Sequence, residues 1–172
     1  MKLKHIALVA SLVMSSASAA HAAPVVKRIT LTAQIGDSIF ASRPDGSGWY
    51  DHEELDATDR TQRAFSKTLP IRVWTKGTEF NIALARPLTM RGGVYEMRDA
   101  KVVLSQSGRE DEVRVGAPLK VQQSTPGDGG YDQIHRLTVS ARAPAQTPDG
   151  PSINGIYRGD LVVLFEPSAA TP

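Results

Sequence analysis

The sequence predicts an all-β sandwich, and three features of the chain support that fold class. Apolar residues alternate with polar ones along several short segments, a period of two that is typical of strands with one buried face. Clusters rich in Gly and Pro separate these segments at short intervals, as turns do. No stretch in the mature part of the chain has the 3.6-residue period of a helix long enough to form a packed layer.

The first 22 residues have the pattern of a secretory signal peptide. Two lysines form a positively charged start, a short apolar run follows, and Ala20 and Ala22 fit the small-x-small pattern of a cleavage site. We expect cleavage before Ala23, and we expect the protein to be exported to the periplasm or the surface of a bacterium. The apolar run is too short to span a bilayer.

Composition restricts the classes of function that are plausible. The chain has 172 residues, of which 41% are hydrophobic and 22% charged, as expected for one globular domain. The absence of cysteine excludes a disulfide scaffold, a thiolate zinc site and a cysteine nucleophile. Loss of Lys2 and Lys4 with the signal peptide leaves 18 basic and 18 acidic residues, so nucleic-acid binding is not expected.

The first predicted strand of the mature chain spans residues 25–35. Its apolar face is interrupted by Lys27 and comprises Val25, Ile29, Leu31, Ala33 and Ile35. A short strand is predicted over residues 38–42, followed by a turn at 44–46. The polar stretch 51–63 is expected to be a loop with at most one helical turn.

Seven further strands are predicted at short spacing, which indicates a sandwich of the immunoglobulin type. They span residues 65–75, 80–85, 101–105, 112–115, 119–122, 134–142 and 155–165. On the last of them, one face carries Tyr157, Leu161, Val163 and Phe165. Gly155 and Gly159 are expected to allow a close backbone approach or a bulge. Residues 167–172 are expected to form a loose tail.

No pattern in the chain indicates an enzyme. His52, Glu53 and Glu54 are the best catalytic candidates, but neighbouring acids without a second histidine at helical spacing do not make a metal or acid–base site. We therefore interpret residues 51–59 as a solvated acidic loop. His135 lies in a predicted strand, and the sequence pairs it with no acidic residue. We therefore predict no catalytic residue, no cofactor and no metal.

The two ends of the mature chain resemble those of one family, the major pilins of alternate chaperone–usher fimbriae. These are the class 5, alpha-type fimbriae related to colonisation factor antigen CFA/I. Residues 25–35, VVKRITLTAQI, are similar to the opening strand of that family, with Leu31 where valine is common. Residues 155–165, GIYRGDLVVLF, resemble its closing strand. The mature length and the lack of cysteine also suit a major subunit of this class.

The resemblance implies an incomplete immunoglobulin-like sandwich that is completed by a donor strand from another subunit. Residues 23–36 would be that donor strand and residues 37–166 the pilin domain. The contacts between subunits would come from Val25, Ile29, Leu31, Ala33 and Ile35, and the groove or closing strand from Tyr157, Gly159, Leu161, Val163 and Phe165. The implied partners are identical pilin subunits, a periplasmic chaperone, an outer-membrane usher and a tip adhesin. The product would be a surface fimbria that supports adhesion.

One alternative fits the same strand pattern. The chain would then be a self-complete, secreted immunoglobulin-like module that binds carbohydrate or protein, and residues 25–35 would be the first strand of its own sandwich. The two hypotheses differ in one property. A self-complete module folds as a monomer without a chaperone, whereas a donor-dependent pilin is unstable alone or polymerises.

Overall fold

The computed structural model describes residues 39–106 and 108–168, and these residues form strands and loops without a helix. The predicted signal peptide, with Ala20, Ala22 and Ala23 at its cleavage site, and the predicted donor strand 23–36 lie outside the described residues. The strands are β1 (Ile39–Ser42), β2 (Asp56–Ala57), β3 (Ala64–Thr75), β4 (Glu79–Leu84), β5 (Arg91–Gly92), β6 (Tyr95–Glu96), β7 (Arg98–Gln106), β8 (Arg109–Glu112), β9 (Leu119–Gln122), β10 (Pro126–Gly127), β11 (Gly130–Arg142) and β12 (Val163–Pro167).

Two antiparallel sheets form the body of the protein. The large sheet has the order β1-β3-β11-β7-β8, with β2 also pairing with β3 and β10 with β11. The small sheet has the order β12-β4-β9, and β5 and β6 form a separate hairpin. The prediction of an all-β sandwich is confirmed. Among the described residues, no helix is long and apolar enough to cross a membrane.

The core lies between the two sheets and follows the period-two pattern. Alternate side chains of β3 and β11 point inward, including the fully buried Ile71 and Leu137. Phe80 and Ile82 of β4 and Val121 of β9 face them from the small sheet and are also fully buried. Burial of each large apolar side chain contributes about 1.5–3 kcal/mol to folding, so this face holds the sheets together.

Several predicted boundaries need correction. The strand predicted over residues 112–115 is β8 and ends at Glu112. The stretch 51–63 is a loop, in agreement with the prediction, except for the two-residue strand β2. The strand predicted over residues 155–165 is regular only from Val163 onward. The residues before it run beside the turn at residues 89–92, where one bridge between Arg91 and Arg158 replaces a ladder.

Candidate functional site

The two sheets reproduce the strand order of an immunoglobulin-type sandwich, with one position unfilled. In that fold, strands A, B, E and D form one sheet and C, F and G form the other. The path β1-β3-β11-β7 corresponds to A-B-E-D, and β12-β4 corresponds to F-C, in the same chain order. Within residues 39–106 and 108–168, no strand occupies the G position beside β12. The described sandwich is therefore open at this edge.

One edge of β12 is fully paired, whereas the other has no partner strand in the described part of the chain. Residues 163–167 pair with 80–84 of β4, and the pairing extends to a hydrogen bond from the Ala85 amide to the Val162 carbonyl, at 3.0 Å. A free strand edge presents a row of backbone N–H and C=O groups that can pair with another strand. The geometry of β12 thus suits the addition of one more strand.

A partly apolar groove lies beside the segment that leads into β12, and no residue of β12 itself lines it. It contains a cavity of about 220 Å³ between the large sheet and the loop segments 49–55, 88–90 and 159–161. This exceeds the roughly 150 Å³ of an engineered apolar cavity that accepts benzene. The apolar lining comes from Leu69, Leu137 and Val139 of the large sheet, Leu88 and Met90 after β4, Leu161 before β12, and Leu55. The groove can therefore take up bulky aliphatic side chains.

Two aromatic residues, Trp49 and Tyr50, connect the small sheet to the large sheet at one end of the groove. The ring of Trp49 stands edge-on to Phe165 of β12, with 5.5 Å between centroids. The Tyr50 hydroxyl donates a hydrogen bond of 2.7 Å to the carbonyl of Pro70 in β3. Pro70 lies between the residues of β3 that pair with β1 and those that pair with β2, so its missing N–H interrupts no ladder there.

Of the five residues predicted to line the groove or form the closing strand, Val163 and Phe165 lie in β12. Tyr157, Gly159 and Leu161 lie in the segment that leads into β12. Leu161, Val163 and Phe165 pack against the core from the open edge. Tyr157 is half-buried, and its hydroxyl donates to the Ile153 carbonyl at 2.7 Å. Gly159 lies so close to the Thr89 carbonyl that a Cβ would collide with it.

The expectation of a close backbone approach is wrong for Gly155. A Cβ built on Gly155 meets no atom within 4 Å, because the chain there runs over open space. The predicted donor residues Val25, Ile29, Leu31, Ala33 and Ile35 lie outside the described residues.

Sequence reasoning missed Trp49, Tyr50, Leu88 and Met90 as residues of this site. The only signal for the first two was a pair of adjacent aromatics in a segment of Gly, Ser and Asp. Aromatic side chains in a polar loop are a reason to look for an apolar surface beneath it. Leu88 and Met90 lie in a turn with no periodic pattern, so nothing in the sequence indicated that they reach the groove.

His135 is a buried titratable group in the core, and it has no catalytic geometry. Its ring stands edge-on to Phe80 at 5.6 Å, and its Nε2 has no hydrogen-bond partner among the described residues. Burial lowers the pKa of His135, since the charged form loses its hydration. The described residues contain no cluster of His, Asp and Glu suited to a metal ion.

Comparisons with known proteins agree with this architecture. The family model described as CS1 type fimbrial major subunit matches residues 25–166. Among solved structures, the CooA pilin subunit from enterotoxigenic Escherichia coli has a similar fold, with a TM-score of 0.59 and 13% sequence identity. The match covers 78% of this chain and 90% of the CooA chain. Comparison with curated protein sequences finds no significant match.

Proposed function

The chain belongs to the CS1-type fimbrial major subunit family, and from that premise we propose that it polymerises by donor-strand complementation. Residues 23–36 of one copy would add a strand beside β12 of the next copy and fill the position of strand G. The same exchange, repeated along a filament, would build a fimbria on the cell surface. The observation that carries this proposal is that one edge of β12 has no partner strand among the described residues, with an apolar groove beside Leu161 just before this strand.

The apolar pattern of residues 25–35 supports their role as the donor. Strand addition uses backbone hydrogen bonds for affinity and alternate side chains for specificity. Ile29, Leu31 and Ile35 would enter the groove, with Ala33 between them, while Thr30 and the other alternate residues would face outward. Three large aliphatic side chains and one alanine would contribute on the order of 5–10 kcal/mol before the cost of ordering the segment.

Charge complementarity supports the same pairing. Asp51 and Glu53 line the cavity, while two further charged lining residues are ion-paired, Asp160 with Arg86 at 2.9 Å and Lys67 with Asp56 at 3.0 Å. The donor segment 23–36 has two basic residues and no acidic one. An acidic rim facing a basic segment favours encounter and register more than it adds affinity.

The remaining partners follow from the same chemistry. An open groove exposes apolar surface that promotes aggregation, so a periplasmic chaperone would lend a strand until assembly. An outer-membrane usher would then exchange that strand for the donor segment of another copy, and a tip adhesin would end the filament. Adhesion would be the function of the assembled fimbria, with this chain as its structural repeat.

The decisive experiment compares two substitutions one residue apart in the donor segment. Ile29→Asp places a carboxylate in the apolar groove, where an uncompensated charge costs several kcal/mol or is neutralised by a raised pKa. Thr30→Asp places the same charge on the opposite face, in water. We expect fibres to be lost for Ile29→Asp and largely kept for Thr30→Asp, as measured by electron microscopy and heat-resistant ladders on gels.

Two controls separate this outcome from a folding defect and from the alternative function. Both variants should still form chaperone complexes, because the chaperone fills the groove without using residues 23–36. Equal assembly of the two variants would refute the donor-strand role. A mature chain that is folded and monomeric without a chaperone would instead favour a self-complete immunoglobulin-like module.

A further inference from the structure

An exposed apolar patch lies on the outer face of the large sheet, at the end where β1 begins. Phe40 of β1 is paired with Trp74 of β3, and Ile134 of β11 lies one row along on the same face. Phe40 is 59% exposed and Ile134 is 55% exposed, whereas Trp74 is half-buried. These three residues, which we call the outer patch, stand out because the rest of that face carries mainly Ser, Thr, Arg and Lys side chains.

Polar contacts hold the outer patch in one arrangement. Arg72 donates from Nε to both carboxylate oxygens of Asp132, at 2.9 and 3.0 Å, and this ion pair lies between Trp74 and Ile134. The Trp74 indole N–H donates to the Asp128 carbonyl at 3.0 Å. Side chains that are already fixed lose little entropy when a partner binds, and Trp and Arg are common at the energetic centre of interfaces.

The position of the patch in the chain identifies its occupant. Phe40 follows the end of the predicted donor segment, Gly36, by four residues. At no more than about 3.6 Å per residue, the Cα atom of Phe40 lies within about 14 Å of that end. Once the donor segment of one copy is inserted in a neighbour, the outer patch of the donating copy must lie near that neighbour.

We infer that the outer patch packs against the second copy that accepts this chain's own segment 23–36. The inference rests on the proposed donor-strand function and adds a contact that the donor strand itself does not make. Phe40, Trp74 and Ile134 lose exposure at the junction, and the fixed Arg72–Asp132 pair forms part of the contact. The junction between consecutive subunits is thereby stiffened outside the groove.

Site-specific crosslinking tests this contact in assembled fimbriae. Since the chain contains no cysteine, Phe40→Cys gives a single attachment point for a photoreactive maleimide. Val94→Cys is the control, because Val94 is 80% exposed on the turn between β5 and β6. We expect at least tenfold more crosslinked dimer from Phe40→Cys, with mass spectrometry placing the adduct on a second copy of the chain. Equal yields at the two positions, or an adduct on a different protein, would overturn the inference.

A second set of variants separates this inference from the donor-strand proposal. Phe40→Ser and Ile134→Ser should lower fimbrial yield about tenfold, which corresponds to about 1.4 kcal/mol per junction. Val94→Ser should leave it unchanged, and heat-resistant dimers should persist in all three because the donor strand is intact. If Ile29→Asp blocks assembly while Phe40→Ser and Ile134→Ser assemble like the native chain, the donor-strand proposal is supported and the outer patch contact is refuted. If Ile29→Asp assembles normally, the donor-strand proposal itself fails.

Discussion

The large and small sheets differ in how far the described chain completes them. The large sheet pairs the twelve residues of β3 with β11 in one continuous register, and β1, β2 and β7 cover the outer edges of this pair. The small sheet has only three strands, and β12 at its edge is five residues long. Both sheets contribute to one core, and among the described residues the small sheet leaves one edge of β12 unpaired, next to the segment that lines the groove.

The two sheets also differ in how completely their inward side chains are buried. Inward side chains of the large sheet, such as Ile71 and Val73, are fully buried. The corresponding residues of β12, Val163 and Phe165, are only half-buried, and no strand of the described part of the chain pairs with β12 on its open side. The large sheet should therefore govern the stability of the single subunit, and β12 should govern its association.

The largest expected effect comes from a cavity in the large sheet. Ile71→Ala removes a fully buried side chain between the sheets, so the free energy of unfolding should fall by about 2–5 kcal/mol. Val163→Ala on the half-buried β12 should cost about 1 kcal/mol in the single subunit. Urea unfolding of the two purified variants measures both values. Equal losses would mean that the two sheets contribute alike to the stability of the subunit.

The next effect concerns the segment that leads into β12. Gly159→Ala places a Cβ against the Thr89 carbonyl, so this part of the backbone must shift, and we expect a loss of about 1–3 kcal/mol. Gly155→Ala is the matched control, since a Cβ there meets open space. Thermal unfolding of the two variants compares them. A Gly155→Ala variant as unstable as Gly159→Ala would contradict the close approach at residue 159.

A pH effect should arise where the two sheets meet, at His135. Burial lowers the pKa of His135 in the folded protein, so the unfolded chain binds the proton more readily. The free energy of unfolding should therefore be highest above about pH 6.5, the pKa of histidine in the unfolded chain, and should fall as the pH drops below that value. His135→Leu should remove this dependence between pH 7 and 5, measured as the midpoint of urea unfolding. An unchanged slope in His135→Leu would assign the effect to other groups.

The smallest expected effect tests the connection across the end of the groove. Tyr50→Phe removes the hydrogen bond to the Pro70 carbonyl but keeps the ring beside Trp49. The bond is exposed to water, so we expect a loss of about 0.5–1.5 kcal/mol in the stability of the subunit. Tyr95→Phe, which removes a hydrogen bond to the Pro151 carbonyl from a residue that does not line the groove, is a matched control. Donor exchange rates should change only in Tyr50→Phe.

Much of the fold could be predicted because strand periodicity is a local property. Side chains of a strand alternate between its two faces, so the inward residues of β3, β4 and β11 were evident from the alternation of apolar and polar positions. The prediction for residues 119–122 matches β9. The pattern at both ends of the chain also indicated the family, which the match over residues 25–166 confirmed.

The groove could be predicted only in part, because its residues are far apart in sequence. Leu161 and Phe165 were identified from the closing segment, and both lie at the open edge. Trp49, Leu88 and Met90 come from loops without period, and their approach to Leu137 depends on how the strands pair. The regular part of β12 was overestimated for the same reason, since a strand requires a partner that local sequence does not reveal.

The sequence by itself determined the all-β class and which side chains of each strand face the core. It also predicted the export signal. These properties follow from local alternation and from the composition of turns. Only the tertiary structure decided that one edge of β12 has no partner strand in the described part of the chain, that the groove lies beside the segment before β12, and that Phe40 and Ile134 share an outer patch. Each of these depends on pairing between strands distant in the chain, such as β3 with β11 and β12 with β4. Backbone hydrogen bonds can join any two strands, so the choice of partner rests on the packing of the whole core.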